Sequence, residues 1–300
     1  MNLIDVTSAF AAEETCLDLL EHLRWPEGVR CLKCGSEKLS RITRKSRNKN
    51  KRVRLFQCLS CDYQFTPTTG TIFTDSHLPL AKWFLAVGLM INAKKGISAK
   101  QMQRDLGVGY QTAWYLCHRI RKAMEEGELP KFTGTVEADE TYVGGRYDRR
   151  RKRGPWEKTP VMGIIERGGR VEAYRIPTPS KTVLVGKIRD RVSPEAELVI
   201  TDELAAYKSI NANYRHEVIE HIREWVRGNV HTNTIENFWS LFKRGVIGSF
   251  HKVSAKHLPR YLAEFTYRFN KREEENLFMV TLRRLVATIN LPNKTLVTSE

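Results

Sequence analysis

From residue 79 the apolar positions fall on a helical stripe. Trp83, Phe84, Val87 and Ile91 recur at helical spacing behind Pro79, which predicts a buried helix over 79–94. Ser98 then offers a cap, Leu106-Gly107-Val108 a turn, and a second periodic run extends from Gln111 to about Met124. Two short helices around a glycine read as a helix-turn-helix, with Tyr110, Gln111 and Arg119 presented to DNA; a purely structural helix pair is the alternative. After a polar hinge at 125–130 the period changes. Strands are expected at Thr133–Asp139, Val161–Glu166, Val171–Ile176, Glu197–Thr201 and His216–Glu220. Helices are expected at Lys181–Val192, Thr234–Val246 and over Leu258 to Ile289, where Tyr261, Phe265 and Phe269 face inward. This order predicts a mixed α/β core. The tail from Pro292 is expected to be loose.

Cysteines add a second kind of pattern. Cys31-x2-Cys34 and Cys58-x2-Cys61 are two knuckles separated by 23 residues. In a chain with no secretory signal, that pairing points to a tetrahedral Zn²⁺ site rather than to disulfides. The stretch between them is expected to be a hairpin excursion. Cys16 and Cys117 lie in helix-like stretches and read as core thiols.

Charge narrows the partner. The 300 residues include 50 Lys+Arg against 34 Asp+Glu, a formal net charge of +16. Such an excess favours a polyanion, and nucleic acid more than a membrane surface. No run of 18 apolar residues is present, so no membrane span is expected and the location is read as cytoplasmic, with the nucleoid. The cations are bunched. Arg41–Arg54 carries eight Lys/Arg and no acid, with Lys45, Arg47, Lys51 and Arg52 as candidate DNA contacts. The insert Arg146–Arg153 adds Arg150, Arg151, Lys152 and Arg153.

Against this background three acids stand out. Asp139 and Asp202 each close an apolar strand, where an uncompensated carboxylate is costly and a cation offsets the cost. Glu236 lies near the start of a helix, beside the stripe Ile235–Trp239–Phe242–Val246, and shares a face with Lys243 two turns later. An all-oxygen set of this kind suits Mg²⁺ (or Mn²⁺) and phosphodiester chemistry, with Lys243 as a point charge for a phosphate. The plain alternatives are turn or cap roles for the two Asp and a helix-dipole role for Glu236. Glu137, Glu140 and Glu203 flank the set as supporting or solvated acids. Thr232 or Asn233 is expected to cap the helix. His231 either touches the site or is a buried, hydrogen-bonded histidine.

Several blocks carry a family resemblance. Arg24-Trp25-Pro26-Glu27-Gly28 precedes the first knuckle, and Val136-Glu137-Ala138-Asp139-Glu140-Thr141-Tyr142-Val143-Gly144-Gly145 surrounds the first acid. His231-Thr232-Asn233-Thr234-Ile235-Glu236-Asn237-Phe238-Trp239-Ser240 with Lys243-Arg244-Gly245 surrounds the third, and His251, Ser254, His257-Leu258 and Arg260-Tyr261-Leu262 follow. Over nearly the whole chain this resembles bacterial insertion-sequence transposases of the DDE type with an N-terminal zinc ribbon, the ISXO-like group. Thr201-Asp202-Glu203-Leu204-Ala205-Ala206-Tyr207 is a looser match, and Asp202 rests also on the 33 residues between it and Glu236. The resemblance implies an RNase H-like α/β catalytic domain, a mixed sheet flanked by helices. It further implies Mg²⁺ at Asp139, Asp202 and Glu236, and cleavage and strand transfer at terminal inverted repeats. The expected layout is a zinc ribbon with an N-terminal helix over 1–75, a helix-turn-helix over 76–130, the catalytic domain over 131–290 and a tail over 291–300. Expected partners are double-stranded DNA, both element ends and target, and a second copy of the chain on that DNA. The rival readings are another RNase H-like nuclease or resolvase, and a catalytically silent zinc-ribbon regulator.

Overall fold

A computed structural model describes residues 1–42, 54–144, 158–220 and 226–297. The chain divides into two compact units, one of 1–93, 97–124 and 274–300, the other of 94–96 and 125–273. Among the described residues no helix is long and apolar enough to cross a membrane.

The first unit begins with α1 (Leu3–Ala9) and α2 (Glu13–Arg24). A three-stranded antiparallel sheet follows, β1 (Leu39–Ile42), β2 (Leu55–Cys58) and β3 (Gln64–Phe65), in the order β1-β2-β3. Ile42 pairs with Leu55, so the expected hairpin exists on both sides of 43–53. Phe56 and Phe65 stack at 5.5 Å, and Trp25 meets both edge-on, giving this small sheet a core of its own. Next come α3 (Leu80–Asn92), α4 (Ala99–Leu106) and α5 (Tyr110–Met124). The Ser98 hydroxyl accepts from Gln101 N–H at 3.1 Å, and Gly107 ends α4 in the left-handed region at φ 59°. Both features match the sequence reading of a capped helix with a glycine turn.

Residues 274–290 do not belong where the sequence placed them. α9 (Leu277–Ala287) packs with α2, α3 and α5, and its Phe278 stacks on Phe10 at 5.8 Å. The expected helical segment Leu258–Ile289 is thus two helices, Leu258–Asn270 and Leu277–Ala287, that serve different cores. The tail is also more ordered than expected: α10 (Asn293–Val297) follows, and Leu291 and Leu296 are buried.

The second unit is a five-stranded mixed sheet with helices on both faces. Its strands are β4 (Thr135–Val143), β5 (Thr159–Glu166), β6 (Val171–Arg175), β7 (Leu198–Asp202) and β8 (His216–Ile219), in the order β6-β5-β4-β7-β8. β4, β7 and β8 are parallel, and β5 runs antiparallel to both of its neighbours. One face packs on α6 (Lys181–Arg191) and a 3-10 segment, Ala205–Ala212, through Val136, Ala138, Val199, Leu184, Ile188 and Tyr207. The other packs on α7 (Asn233–Gly245) and α8 (Leu258–Asn270) through Val161, Ile165, Ile235, Trp239, Phe242 and Phe265. The expected strands and helices are all present here, with ends displaced by a few residues.

Candidate functional site

The displacement of one strand end matters. β4 runs on to Val143 because β5 pairs with it throughout, Val143 opposite Thr159. On its other edge the ladder with β7 stops at Glu137 opposite Ile200. Asp139 is thus inside its strand on one side and beyond the ladder on the other, not at the strand's end as the sequence suggested. Asp202, the last residue of β7, stands two positions beyond the same final pair. Alternation assigns faces. Val136 and Ala138 point to the α6 side, so Glu137 and Asp139 point to α7. Val199 likewise points to α6, so Ile200 and Asp202 share the α7 face.

α7 brings the third acid. Its buried stripe is Ile235, Phe238, Trp239, Phe242 and Gly245; Glu236 is half-buried beside it, and Lys243 is exposed. The close approach depends on Gly163, which lies opposite Asp139 in β5. A Cβ there would stand 2.5 Å from Trp239 and 2.8 Å from Ile235. Burial, then the charges of Glu140 and Asp202, push the Asp139 carboxyl up to about 8; the Glu140 N–H opposes this and Glu236 adds to it. Asp139 therefore shares one electrostatic neighbourhood with Asp202 and Glu236. The Leu204 N–H donates to Asp202 Oδ1 at 3.1 Å, and the Thr232 hydroxyl donates to Glu236 Oε1 at 2.7 Å. Glu140 lies toward the other face, where it accepts from the Tyr207 hydroxyl at 2.7 Å; burial raises its pKa. Glu203 is exposed.

Glu137, expected as a supporting or solvated acid, is a supporting one, and Arg167, which the sequence reading did not single out, joins it. Glu137 is fully buried and accepts from the backbone N–H groups of Thr234 and Ile235 at 2.9 and 3.0 Å. Arg167, from the β5–β6 turn, donates to Glu137 at 2.7 Å and to the carbonyls of Asn229 and His231. His231 joins this network, with Nδ1 3.1 Å from Arg167, and stays partly exposed. Of the two residues expected to cap α7, Thr232 is the one in place. Thr232 holds the cap position but makes no side-chain cap bond, and Asn233 is exposed. The period-2 pattern already put Glu137 on Asp139's face; its partners, 97 and 98 positions away, left no local signal.

In the first unit Cys31, Cys34, Cys58 and Cys61 converge, with sulfur atoms all within 4.8 Å of one another. Cys31–Cys61 and Cys34–Cys58 are each 3.6 Å apart, against about 3.8 Å for the edge of a tetrahedron built on 2.3 Å Zn–S bonds. Both knuckles turn alike. The fourth residue after each leading cysteine, Gly35 and Asp62, is left-handed, and the N–H two residues on points at the leading sulfur. Burial works to raise the Cys58 thiol, but the N–H groups of Ser60 and Cys61, with the Cys34 and Cys61 thiols, together bring it down to about 6. This donor set fits Zn²⁺. Cys16 and Cys117 are buried core thiols, as expected.

The expected DNA contacts divide three ways. Gln111 is exposed at the start of α5, next to Tyr110, over whose ring Lys100 lies at 4.9 Å. Arg119 is not on that surface. It is 3 % exposed, held between Trp83 and Tyr115 and bonded to Thr74 O and Asn290. It sits on the inner face of α5, where its neighbours are aromatic, and its expected exposure to DNA is corrected. Lys45, Arg47, Lys51, Arg52, Arg150, Arg151, Lys152 and Arg153 lie outside the described residues.

Comparison with known proteins covers the segments that carry both clusters. Residues 131–270 match the ISXO2-like transposase domain, and residues 11–64 match the transposase zinc-ribbon domain. An uncharacterized protein in transposable element ISH50 of Halobacterium salinarum is 32% identical over 297 residues, covering 89% of this chain and 95% of that one. Among solved structures, a chain of the simian T-cell lymphotropic virus intasome in complex with PP2A regulatory subunit B56 gamma covers 55% of this chain and 63% of its own. Its identity is 14% and its TM-score 0.28, too low to carry an argument. With the cysteine cluster inside one matched segment and the carboxylates inside the other, the chain belongs to the ISXO2-like transposase family, zinc ribbon included.

Proposed function

We propose that the chain is the enzyme that moves its element: a DDE transposase that binds terminal inverted repeats, cleaves there and joins the freed end to target DNA. The observation that carries this is the register of β4 on β7. It sets Asp139 and Asp202 two positions past the last ladder pair, on the one face where α7 supplies Glu236. The five-stranded mixed sheet, covered by helices on both sides, supports an RNase H-like catalytic core.

Three carboxylates in one partly buried place fit divalent cations with oxygen ligands, Mg²⁺ or Mn²⁺, and Asp139, Asp202 and Glu236 would hold them. When bound, a pair of such ions activates the attacking oxygen and stabilises the leaving one in phosphodiester displacement. The chain's own groups orient this set. Leu204 N–H fixes one oxygen of Asp202, and the Thr232 hydroxyl fixes one of Glu236. Lys243, exposed two turns after Glu236, neutralises a phosphate oxygen of the bound strand. Water first attacks the phosphorus at the element end and the 3′ oxygen leaves. That 3′-OH then attacks a target phosphorus, so one phosphodiester forms as another breaks. The zinc ribbon, the α4–α5 pair and the basic segments supply DNA affinity, and a second copy of the chain on the paired ends completes the assembly.

The test uses full-length protein, Mg²⁺ and DNA carrying the element's terminal inverted repeats. Asp139→Ala and Asp202→Ala should each abolish strand cleavage and keep end binding close to wild type. Appreciable Mg²⁺-dependent cleavage by Asp202→Ala would move the second acid to Glu203. A wild-type chain that binds the ends and never cuts them would make it a silent binding protein.

A further inference from the structure

The first turn of α7 is held by a residue of the sheet. The leading N–H groups of any helix lack partners within it. Here Thr232 supplies no side-chain cap, and the Glu137 carboxylate takes the N–H groups of Thr234 and Ile235 instead. It also accepts the Thr234 hydroxyl at 2.8 Å and Arg167 Nε at 2.7 Å. Four donors, one of them a guanidinium, satisfy a carboxylate that is fully buried, and a negative charge at a helix N-terminus is favoured by the dipole. Arg167 extends the clamp backwards along the chain through Asn229 O at 2.6 Å and His231 O at 2.9 Å.

Both ends of this clamp lie next to proposed metal ligands. Glu137 precedes Asp139 by two residues on the same face of β4, about 6.6 Å along the strand. The anchored N–H of Ile235 immediately precedes Glu236. We infer that Glu137 is a positioning residue: with Arg167, it ties the N-terminus of α7 to β4 and so sets where Glu236 stands relative to Asp139 and Asp202. The inference rests on the reading of those three acids as the metal ligands. A carboxylate that merely capped a helix would contribute to folding and leave metal affinity in the folded protein unchanged.

Mn²⁺ titration followed by electron paramagnetic resonance on the full-length chain separates the two, with circular dichroism confirming that each variant is folded at the working temperature. Glu137→Gln should weaken Mn²⁺ binding about 10–100-fold, the usual effect of removing a group that orients a ligand. Arg167→Lys keeps the charge and loses the fork, and should shift binding in the same direction. It carries the test if Glu137→Gln does not fold, since Arg167 is partly exposed. Glu236→Gln should also weaken binding, and adding Glu137→Gln to it should cost little more, because both act through one ligand. Wild-type Mn²⁺ affinity in folded Glu137→Gln or Arg167→Lys, with Glu236→Gln weakened, overturns the positioning role alone. Independent, additive losses in the double variant overturn it too. Wild-type affinity in Glu236→Gln itself overturns the ligand reading on which the inference stands.

Discussion

The guanidinium of Arg119 lies 5.1 Å from the ring centres of both Trp83 and Tyr115, and its Nη2 bonds Thr74 O and Asn290. A cation so placed contributes to the core of the first unit. Arg119→Ala should therefore lower stability by about 3 kcal/mol, from lost charged hydrogen bonds and cation–π contact. Calorimetry and a gel-shift assay on the same variant check this, with end binding expected near wild type below the melting temperature. A loss of DNA affinity at unchanged stability would return Arg119 to the DNA surface. The third acid allows a similar comparison. Glu236→Gln should lose cleavage almost as fully as Asp139→Ala at saturating Mg²⁺. Asn233→Ala should be near wild type in both rate and stability, because Glu137, not Asn233, satisfies the first turn of α7. Near-normal cleavage by Glu236→Gln with loss in Asn233→Ala would reverse the assignment.

Between elements, α7 depends closely on β5. Gly163→Ala sets a methyl against Trp239 and Ile235, so either the helix moves off or the ring turns. The expected cost is about 1–3 kcal/mol, and the cleavage rate should fall further than thermal stability implies, since Glu236 travels with the helix. Comparing melting curves with single-turnover cleavage checks it; an unchanged rate would show that α7 is held elsewhere. The small sheet of the ribbon depends on metal in the same direct way. Its apolar interior is a handful of side chains around Phe56 and Phe65, so chelation of Zn²⁺ should unfold it before the helices of the same unit. Loss of protection from amide exchange confined to the ribbon would show this. The elements themselves were legible in the sequence, because stripes such as Ile235–Trp239–Phe242 and the paired knuckles are local patterns. The register that joins Asp139 to Asp202, the glycine under Trp239 and the Glu137 clamp were not. Each is a meeting of segments tens of residues apart, and nothing local encodes which strand edge ends its ladder early.

At the scale of the molecule the chain order misleads, since its last 27 residues return to the first unit. Phe278 packs on Phe84 and Phe10, and Leu282 and Leu285 are fully buried. A fragment ending at residue 130 should therefore melt far below the intact chain, and joining 274–297 to it through a flexible linker should restore a cooperative transition. A stable, cooperative fragment without that segment would contradict the packing. The charge of +16 acts on a longer range than any fold contact. End binding should lose at least about a thousandfold in affinity between roughly 50 and 200 mM salt, as released counterions require. A flat salt response would deny the phosphate backbone its expected share.

The early end of the β4–β7 ladder is also the place where the chain's connections part: from β4 the chain passes to β5 on one side, from β7 to β8 on the other. In open α/β sheets that divergence leaves a crevice at the carboxyl ends of the strands, whatever side chains line it. Asp139 and Asp202 stand at that divergence, past the last ladder pair of β4 and β7. On the proposed function, a copy of this chain that lost these acids would keep its sheet, its ribbon and its basic charge, and would still compete for the same DNA ends. Loss of chemistry would then turn the proposed enzyme into its own inhibitor.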